Sequence, residues 1–335
     1  MTAMAATPET MRAAVRERYG APREIIEFKR VPKPTLTGDQ VLVRVRAVSL
    51  NRSDYYMATA PIVLFRKMAG GSFRGPTTFE IGGDFAGVVE AVGTDVTDFK
   101  PGDEVFGART GAFSEYVAAR MVARKPENVS FEEAATFGGS ALTALQALRD
   151  KGKLQPGQSV LINGASGAVG PFAVQMAKAL GAGTVTAVCS TRNVEQTREL
   201  GADRVIDYSR EDFTKSGEQY DLIVDIAATK PWRKIRRVLK PSGTYVLVGS
   251  PVMNRIIGPL GKIGWLIVAS RLTRRRFVFF IASFNKPDME TLGELLASGK
   301  VKPVIERVYP FAELVDALEY MGEGHARAKL VVTVQ

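Results

Sequence analysis

The stretch Ser159–Ala182, SVLINGASGAVGPFAVQMAKALGA, narrows the folds open to this chain more than any other. A β-branched run meets a glycine-rich turn, and a helical pattern starts directly behind it. Gly164, Gly167 and Gly170 fall at a G-x-x-G-x-x-G spacing, one residue longer in its first gap than the common G-x-G-x-x-G. The physics is unchanged: glycines let the backbone turn sharply and approach a pyrophosphate, whose charge rests at the helix N-terminus. Val169, Phe172, Ala173, Met176, Ala177 and Leu180 share one helical face. Pro171 lies in the first turn, where its missing N–H costs little. Strand, turn and helix in that order, with a βαβ unit behind them, predict a dinucleotide site on Gly164, Ala165, Ser166, Gly167, Ala168, Val169 and Gly170.

The next strand, Thr184–Val188, ends roughly 20 residues past that turn, where an NAD-preferring site carries Asp or Glu for the ribose 2′-hydroxyl. Here the chain reads Cys189-Ser-Thr-Arg-Asn193, without a carboxylate. A carboxylate would repel a 2′-phosphate, whereas Ser190 and Arg192 can donate to one. The expected cofactor is therefore NADPH (NADP+); the plainer account of Arg192 is a solvated helix turn. Tyr208, in VIDY, lies either beside the adenine ribose or in ordinary packing at a strand end.

A length of 335 residues exceeds what one hydrophobic core normally supports, so two domains are expected. Cys189 and His325 are the only residues of their kinds, which leaves no inventory for a Cys/His zinc site and fits a reducing, cytoplasmic setting. Nucleophilic catalysis of the Ser–His or Cys–His type would rest on one of these singletons. The net charge of +10 suits an anionic cofactor. The densest basic run, Arg271-Leu-Thr-Arg-Arg-Arg276, has no RNA- or DNA-binding module around it and reads as a solvated helix end, so no nucleic-acid partner is expected. The apolar region 256–282 contains no membrane span, because its charge-free stretch Ile263–Ser270 has eight residues against the ~20 required. Two accounts of it stand: a helix capping a hydrophobic substrate pocket, or a weak peripheral contact with a membrane or partner.

Residues 1–137 read as strands and turns. Val41, Val43 and Val45 alternate with Leu42, Arg44 and Arg46 in a half-buried strand, Gly82–Gly93 is extended, and Pro101-Gly-Asp103 is a tight turn. From 138 to 282, short apolar strands alternate with helical segments, as in a parallel sheet. One helix opens near Pro231 and is expected to close at Pro241-Ser-Gly243. After Phe277–Ile281 come helical segments Met289–Ala297 and Phe311–Met321 and a strand Lys329–Val334, which is expected to return to the first domain. The expected division is 1–137 with 283–335, and 138–282, with the active site in the cleft between.

With these pieces placed, the chain resembles the medium-chain dehydrogenase/reductase superfamily, in its zinc-free quinone oxidoreductase-like branch. The resemblance rests on Asn51-Arg-Ser-Asp-Tyr-Tyr56, GGDFAGVVEAVG (Gly82–Gly93), FKPGDEVFG (Phe99–Gly107), GAFSEYV (Gly111–Val117), EEAATFGGSALTALQAL (Glu132–Leu148), NGASGAVG and GHARAKLVV (Gly324–Val332). It implies an α/β protein: a GroES-like β-barrel catalytic domain plus a Rossmann doubly wound parallel sheet. The implied activity is NAD(P)H-dependent reduction of a quinone or α,β-unsaturated carbonyl by a homodimer. Zinc-dependent members have Cys where this chain has Asn51, and Gly-His-Glu where it reads Gly82-Gly83-Asp84, so no metal is expected. Relatives often carry alanine in place of Gly164 and glycine in place of Ala328, changes of little expected consequence.

The resemblance places Asn51 and Tyr56 at the nicotinamide face, where hydrogen-bond donors would stabilise a developing enolate or hydroquinone anion. Their plainer roles are a turn cap and a packing tyrosine in a loop. It assigns Thr143 to the nicotinamide carboxamide or ribose and brings Arg327, among His325, Arg327 and Lys329, toward the cleft. Gly249 ends a strand where backbone can approach the cofactor, and Phe280 is a stacking candidate. The substrate is expected to be a small hydrophobic carbonyl or quinone, from the apolar content of 55–73 and 251–276. An NADPH-binding sensor with negligible turnover is the competing account, and reversible alcohol oxidation is disfavoured for want of a base.

Overall fold

The computed structural model describes residues 9–60, 66, 71–72, 75–76, 80–249, 260–324 and 326–334. Three sheets organise them. The first is a two-stranded ribbon of β1 (Thr10–Arg16) and β2 (Ile26–Pro32). Next in the chain come β3 (Val41–Leu50), β4 (Asp84–Val92), β5 (Glu104–Ala108), β6 (Tyr116–Ala119) and β7 (Val122–Arg124). The parallel-sheet strands are β8 (Ser159–Asn163), β9 (Thr184–Cys189), β10 (Arg204–Asp207), β11 (Tyr220–Asp225), β12 (Leu239–Leu247) and β13 (Arg276–Phe279). Two more, β14 (Ile305–Pro310) and β15 (Lys329–Thr333), rejoin the earlier strands.

A seven-stranded sheet runs β14-β15-β3-β4-β5-β7, with β6 paired to β3. Strand β3 is its axis. Only Arg44 and Arg46 of β3 are exposed, and Ala47–Leu50 are buried on both faces. The alternation read from sequence therefore holds only over 43–46, since Leu42 is buried along with Val41. The returning strand pairs antiparallel with β3, Leu330 opposite Leu50 and Thr333 opposite Ala47. This register sets Lys329, one residue earlier, beside the end of β3.

The second large sheet is parallel throughout, in the order β10-β9-β8-β11-β12-β13. Counted from β8, this is the 3-2-1-4-5-6 order of a dinucleotide-binding sheet, whose switch point lies between β8 and β11. There Asn163 Nδ2 donates to Asp225 Oδ1 at 2.7 Å. Asp225 also accepts from the Tyr245 hydroxyl at 2.7 Å and the Ala228 N–H at 2.7 Å, so its buried carboxyl is fully bonded. The architecture is thus a GroES-like unit with a doubly wound parallel sheet.

Two local readings are corrected. Helix Trp232–Val238 stops before Pro241, and Pro241–Gly243 lie inside β12 as an irregularity, with Tyr220 opposite Leu239 but Leu222 opposite Thr244. In the all-strand region, Arg52–Thr59 is a helix, and it carries Tyr56, which the sequence reading left in a loop.

Candidate active site

Two constructions face each other in this fold, one made of backbone and one of side chains. The backbone construction follows β8. Gly164 takes φ +92°, and its N–H and that of Ala165 donate to Val188 O at 3.1 and 3.0 Å. An added Cβ at Gly164 would stand 3.1 Å from Ala227 N in a left-handed conformation that alanine rarely adopts. Glycine is therefore favoured over alanine at this position in this chain. At Gly170 a Cβ would fall 2.3–2.4 Å from the Ala165 carbonyl, so the first helical residue packs directly on the turn. Helix Gly170–Ala179 is buried on nearly every side, and the Gln175 amide buried with it is satisfied by Lys302: Nε2 donates to Lys302 O at 2.8 Å, and Lys302 N donates to Gln175 Oε1 at 2.8 Å. A helix N-terminus fronted by such a turn fits a bound pyrophosphate.

At the end of β9, Ser190 precedes a single 3₁₀ turn, Thr191–Asn193, and its Oγ accepts from Asn193 Nδ2 at 2.9 Å. Arg192 is exposed, and its charge reaches Tyr320. Tyr208 is largely exposed, and its N–H donates to Cys189 O at 3.0 Å. One carboxylate does stand here, supplied by β10 rather than by the turn itself. Asp207 accepts from Thr191 Oγ1 at 2.6 Å and from Ser209 Oγ at 2.6 Å, bonds that hold its pKa below the usual carboxylate value. Sequence reasoning missed it because strand pairing, not spacing, puts it there.

The side-chain construction centres on Asn51, which precedes helix Arg52–Thr59. Lys329 is fully buried, and its Nζ donates to Asn51 Oδ1 at 2.7 Å, to Leu50 O at 3.1 Å and to Ser140 Oγ at 3.4 Å. Ser140 Oγ donates to the same Asn51 Oδ1 at 2.8 Å. Asn51 Nδ2 donates to Asp84 Oδ2 at 2.9 Å, and the Gly139 N–H donates to Asp84 Oδ1 at 2.8 Å. The Asn51 N–H donates to Asp54 Oδ2 at 2.7 Å. These partners fix the amide: its oxygen faces two donors, and its nitrogen faces the Asp84 carboxylate with the Asp54 carboxyl also within its reach. Lys329 Nζ lies 3.8 Å from Asp84 Oδ2.

Burying these charges costs several kcal/mol per ion unless they are paired. Burial raises Asp84, with Lys329 pulling it back down, and lowers Lys329, with Asp84 and then Asp54 pulling it up. Asp54, buried and beside the Asp84 charge, is pushed up to about 7. Asp54, Asp84, Ser140 and Lys329 were absent from the sequence-based site. The one available signal was a lysine heading the apolar strand KLVVT.

Other expected site residues sit as follows. Tyr56 is half-buried, its ring under the Arg52 guanidinium at 5.4 Å, and its oxygen accepts from Arg52 Nε at 3.3 Å. Thr143 is on the helix that begins at Gly139, and its hydroxyl donates to Gly139 O at 2.6 Å. Gly249 follows Val248, whose N–H donates to Asp225 O at 3.0 Å, at the carboxyl end of the parallel sheet where β11 ends. Phe280 packs against the core, with the Lys151 ammonium 5.7 Å from its ring. Arg327 is half-buried, with a buried Nε that has no partner, and its N–H donates to Glu306. His325 lies outside the described residues, as do Ile62, Val63, Leu64 and Phe65 of the expected pocket. Trp265 is exposed, and Leu266 packs beneath its helix with Trp232 and Tyr245. That helix lies on the parallel sheet and makes no described contact with the Asn51 cluster.

One contact joins the two constructions. The Ala328 N–H donates to Ser166 O at 2.9 Å, inside the glycine turn, one residue before Lys329 enters the cluster. Ala328 does so at φ +60°, so alanine is strained at the position where glycine had been expected to change little.

Residues 37–194 match the family model described as alcohol dehydrogenase GroES-like domain, and residues 200–332 match the one described as zinc-binding dehydrogenase. The chain is 37% identical over 362 residues to mouse NAD(P)H oxidoreductase RTN4IP1, mitochondrial, covering 97% of this chain and 89% of that protein. It is 33% identical over 343 residues to 2-methylene-furan-3-one reductase of Solanum lycopersicum, covering 97% and 79%. The solved quinone oxidoreductase of Coxiella burnetii superposes with a TM-score of 0.84 at 30% identity over 98% of this chain and 100% of that one. The zinc in the second model's description does not fit the residues present. Asn51, Gly83 and Asp84 stand where the resemblance puts the ligands, Asn51 Oδ1 already accepts two bonds, and the Lys329 ammonium is buried against that same oxygen. Among the described residues, no group of three or more His, Cys, Asp or Glu is placed to hold a metal.

Proposed function

The chain belongs to the medium-chain dehydrogenase/reductase superfamily, in its quinone oxidoreductase-like branch, and from that premise we propose a zinc-independent reductase that passes a hydride from NADPH to a quinone or an α,β-unsaturated carbonyl. The chain is an enzyme, an oxidoreductase that uses a nicotinamide cofactor. The observation that carries the finer reading is the Asn51 cluster, a hydrogen-bonding centre joined to the glycine turn through Ala328 and Ser166.

The bound nicotinamide supplies the hydride. The turn from Gly164 to Gly170 and the helix behind it hold the pyrophosphate, and the unpartnered Arg327 Nε is available to the same ligand. Ser190 and Arg192 receive the 2′-phosphate, while Asp207 is kept from repelling it by its bonds to Thr191 and Ser209. The Asn51 amide, held in the resting site between the Asp84 and Asp54 carboxylates, donates to oxygen as negative charge develops there. Lys329 and Ser140 keep that amide from rotating, and Tyr56 or water returns the proton. The division of the chain into 1–137 with 283–335, and 138–282, and a cytoplasmic setting belong to this proposal.

The test follows nicotinamide absorbance with NADPH and with NADH, using naphthoquinone, benzoquinone and a linear enone in the presence of EDTA. Turnover with NADPH that survives the chelator is the expected result. Loss of turnover in EDTA would refute zinc independence. Tight NADPH binding with no turnover on any acceptor would replace the enzyme reading of this site with the sensor. The paired change Ser190→Ala and Arg192→Gln should raise the KM for NADPH about tenfold and leave NADH unchanged.

A further inference from the structure

Helix Arg52–Thr59 carries two tyrosines in succession, and its own first residue treats them differently. Residues four apart share a helix face, which sets Arg52 against Tyr56. The Arg52 guanidinium lies 5.4 Å from the Tyr56 ring centre, and its Nε donates to the Tyr56 oxygen at 3.3 Å. The Tyr55 ring is 5.9 Å away, with no described bond from Arg52 to its hydroxyl. On its other side Arg52 is anchored, since Nη1 donates to Met321 O at 2.7 Å. That carbonyl is in the last turn of helix Leu314–Glu323, where carbonyls without helical partners gather partial negative charge that suits a cation.

The end of that second helix is shaped around these side chains. Gly322 has no room for a side chain, because a Cβ there would fall 2.4 Å from the Tyr55 ring. Gly324 closes the helix at φ +79°, and its N–H donates to the same Met321 O at 3.2 Å. A Cβ at Gly324 would stand 3.4 Å from Arg52 Nη1. Tyr55 is thus packed as a wall, while the half-buried Tyr56 receives a cationic donor on its oxygen. A phenol oxygen that accepts from Arg52 keeps its own proton for another acceptor, and no described residue takes that proton.

We propose, on the reading of Tyr56 as the proton donor, that Arg52 is a positioning residue for proton return and acts through that tyrosine. Hydride arriving at the β-carbon of an enone pushes an electron pair toward the carbonyl oxygen and leaves an enolate. The Tyr56 O–H bond then breaks, its proton bonds to the enolate, and the charge stays on the phenol oxygen until water returns a proton to it. A guanidinium within hydrogen-bonding distance stabilises that charge and aims the phenol before it forms. The planar fork lets one side chain hold Met321 O through Nη1 and Tyr56 through Nε, which the single ammonium of a lysine could not do at the same reach.

The experiment uses the full chain with NADPH and a linear enone. Tyr56→Phe should lower kcat about 100-fold and Arg52→Gln about tenfold, each with the KM for NADPH within about twofold. Titration of cofactor fluorescence checks that both variants are folded. The double variant should be no slower than Tyr56→Phe, because Arg52 has nothing to act through once the hydroxyl is gone. In Arg52→Gln the solvent deuterium effect on kcat should rise, and the effect of deuterium at the nicotinamide C4 should shrink, a signature that lost packing alone would not give. Full turnover in Arg52→Gln beside an impaired Tyr56→Phe overturns the proposal and leaves the donor reading standing, whereas full turnover in Tyr56→Phe removes both. Losses that multiply in the double variant would show Arg52 acting independently of the tyrosine. A KM for NADPH raised about tenfold at unchanged kcat would make Arg52 a cofactor ligand instead, and either result overturns the proposal.

Discussion

The glycine turn and the Asn51 cluster do comparable work by opposite means. The turn presents backbone, drawn from seven consecutive residues, and its specificity comes from side chains that are missing. The cluster presents side chains from four segments separated by up to 278 positions, and it depends on each one being there. The turn should therefore suffer from added atoms and the cluster from lost ones.

The sharpest test removes the buried cation. Lys329→Met takes the ammonium from beside the buried Asp84 and one of the two donors from the Asn51 oxygen, and should cost about 3–5 kcal/mol in denaturant unfolding. In the folded fraction, NADPH affinity should stay within a few-fold while turnover collapses. If affinity falls in step with turnover, the two constructions are one unit and the comparison fails. The converse change adds a methyl: Gly170→Ala drives a Cβ toward the Ala165 carbonyl. Titration of cofactor fluorescence should show Kd raised about 10–100-fold, with the pH response of the cluster intact.

That response is the third test. Asp54 is pushed up to about 7 in the folded protein, above its unfolded value near 3.9. The native state therefore binds more protons than the unfolded one between those values, and stability falls as pH rises through that window. Asp54→Asn removes this cost, so its stability advantage should grow by about 2 kcal/mol between about pH 5 and pH 8, read from urea midpoints. A constant advantage would mean that the carboxyl does not titrate there. The smallest effect is expected at the junction: Ala328→Gly relieves a left-handed alanine and should stabilise by about 0.5–1 kcal/mol in thermal melts.

The two regions also differ in how much of them the residues disclose. A turn built from consecutive backbone is written in order, so the strand, the glycines and the helix of 159–182 were legible, as was the parallel sheet behind them. The cluster was legible only at Asn51. Lys329 was grouped with His325 and Arg327 in a basic tail, because one lysine before three apolar residues looks the same on an edge as in a core. Pairing with β3, which no local pattern encodes, buried it. Asp207 escaped notice for the same reason, being delivered to the ribose turn by the neighbouring strand. Helix Arg52–Thr59 was missed because Arg, Ser, Asp and two tyrosines show no apolar period. In Leu260–Arg271 the apolar residues surround the helix, so spacing gave no hint of which half faces out.

The hydrogen bond between Lys329 and Asn51 also bears on how the protein is assembled. Contacts across so long a span pay their loop-closure entropy before they return anything, whereas β8, its turn and the following helix close over some twenty residues. During refolding from denaturant, the dinucleotide turn should become competent early and the Asn51 centre late. For a time each molecule would hold its cofactor without being able to use it, a lag visible as fluorescence recovered ahead of turnover.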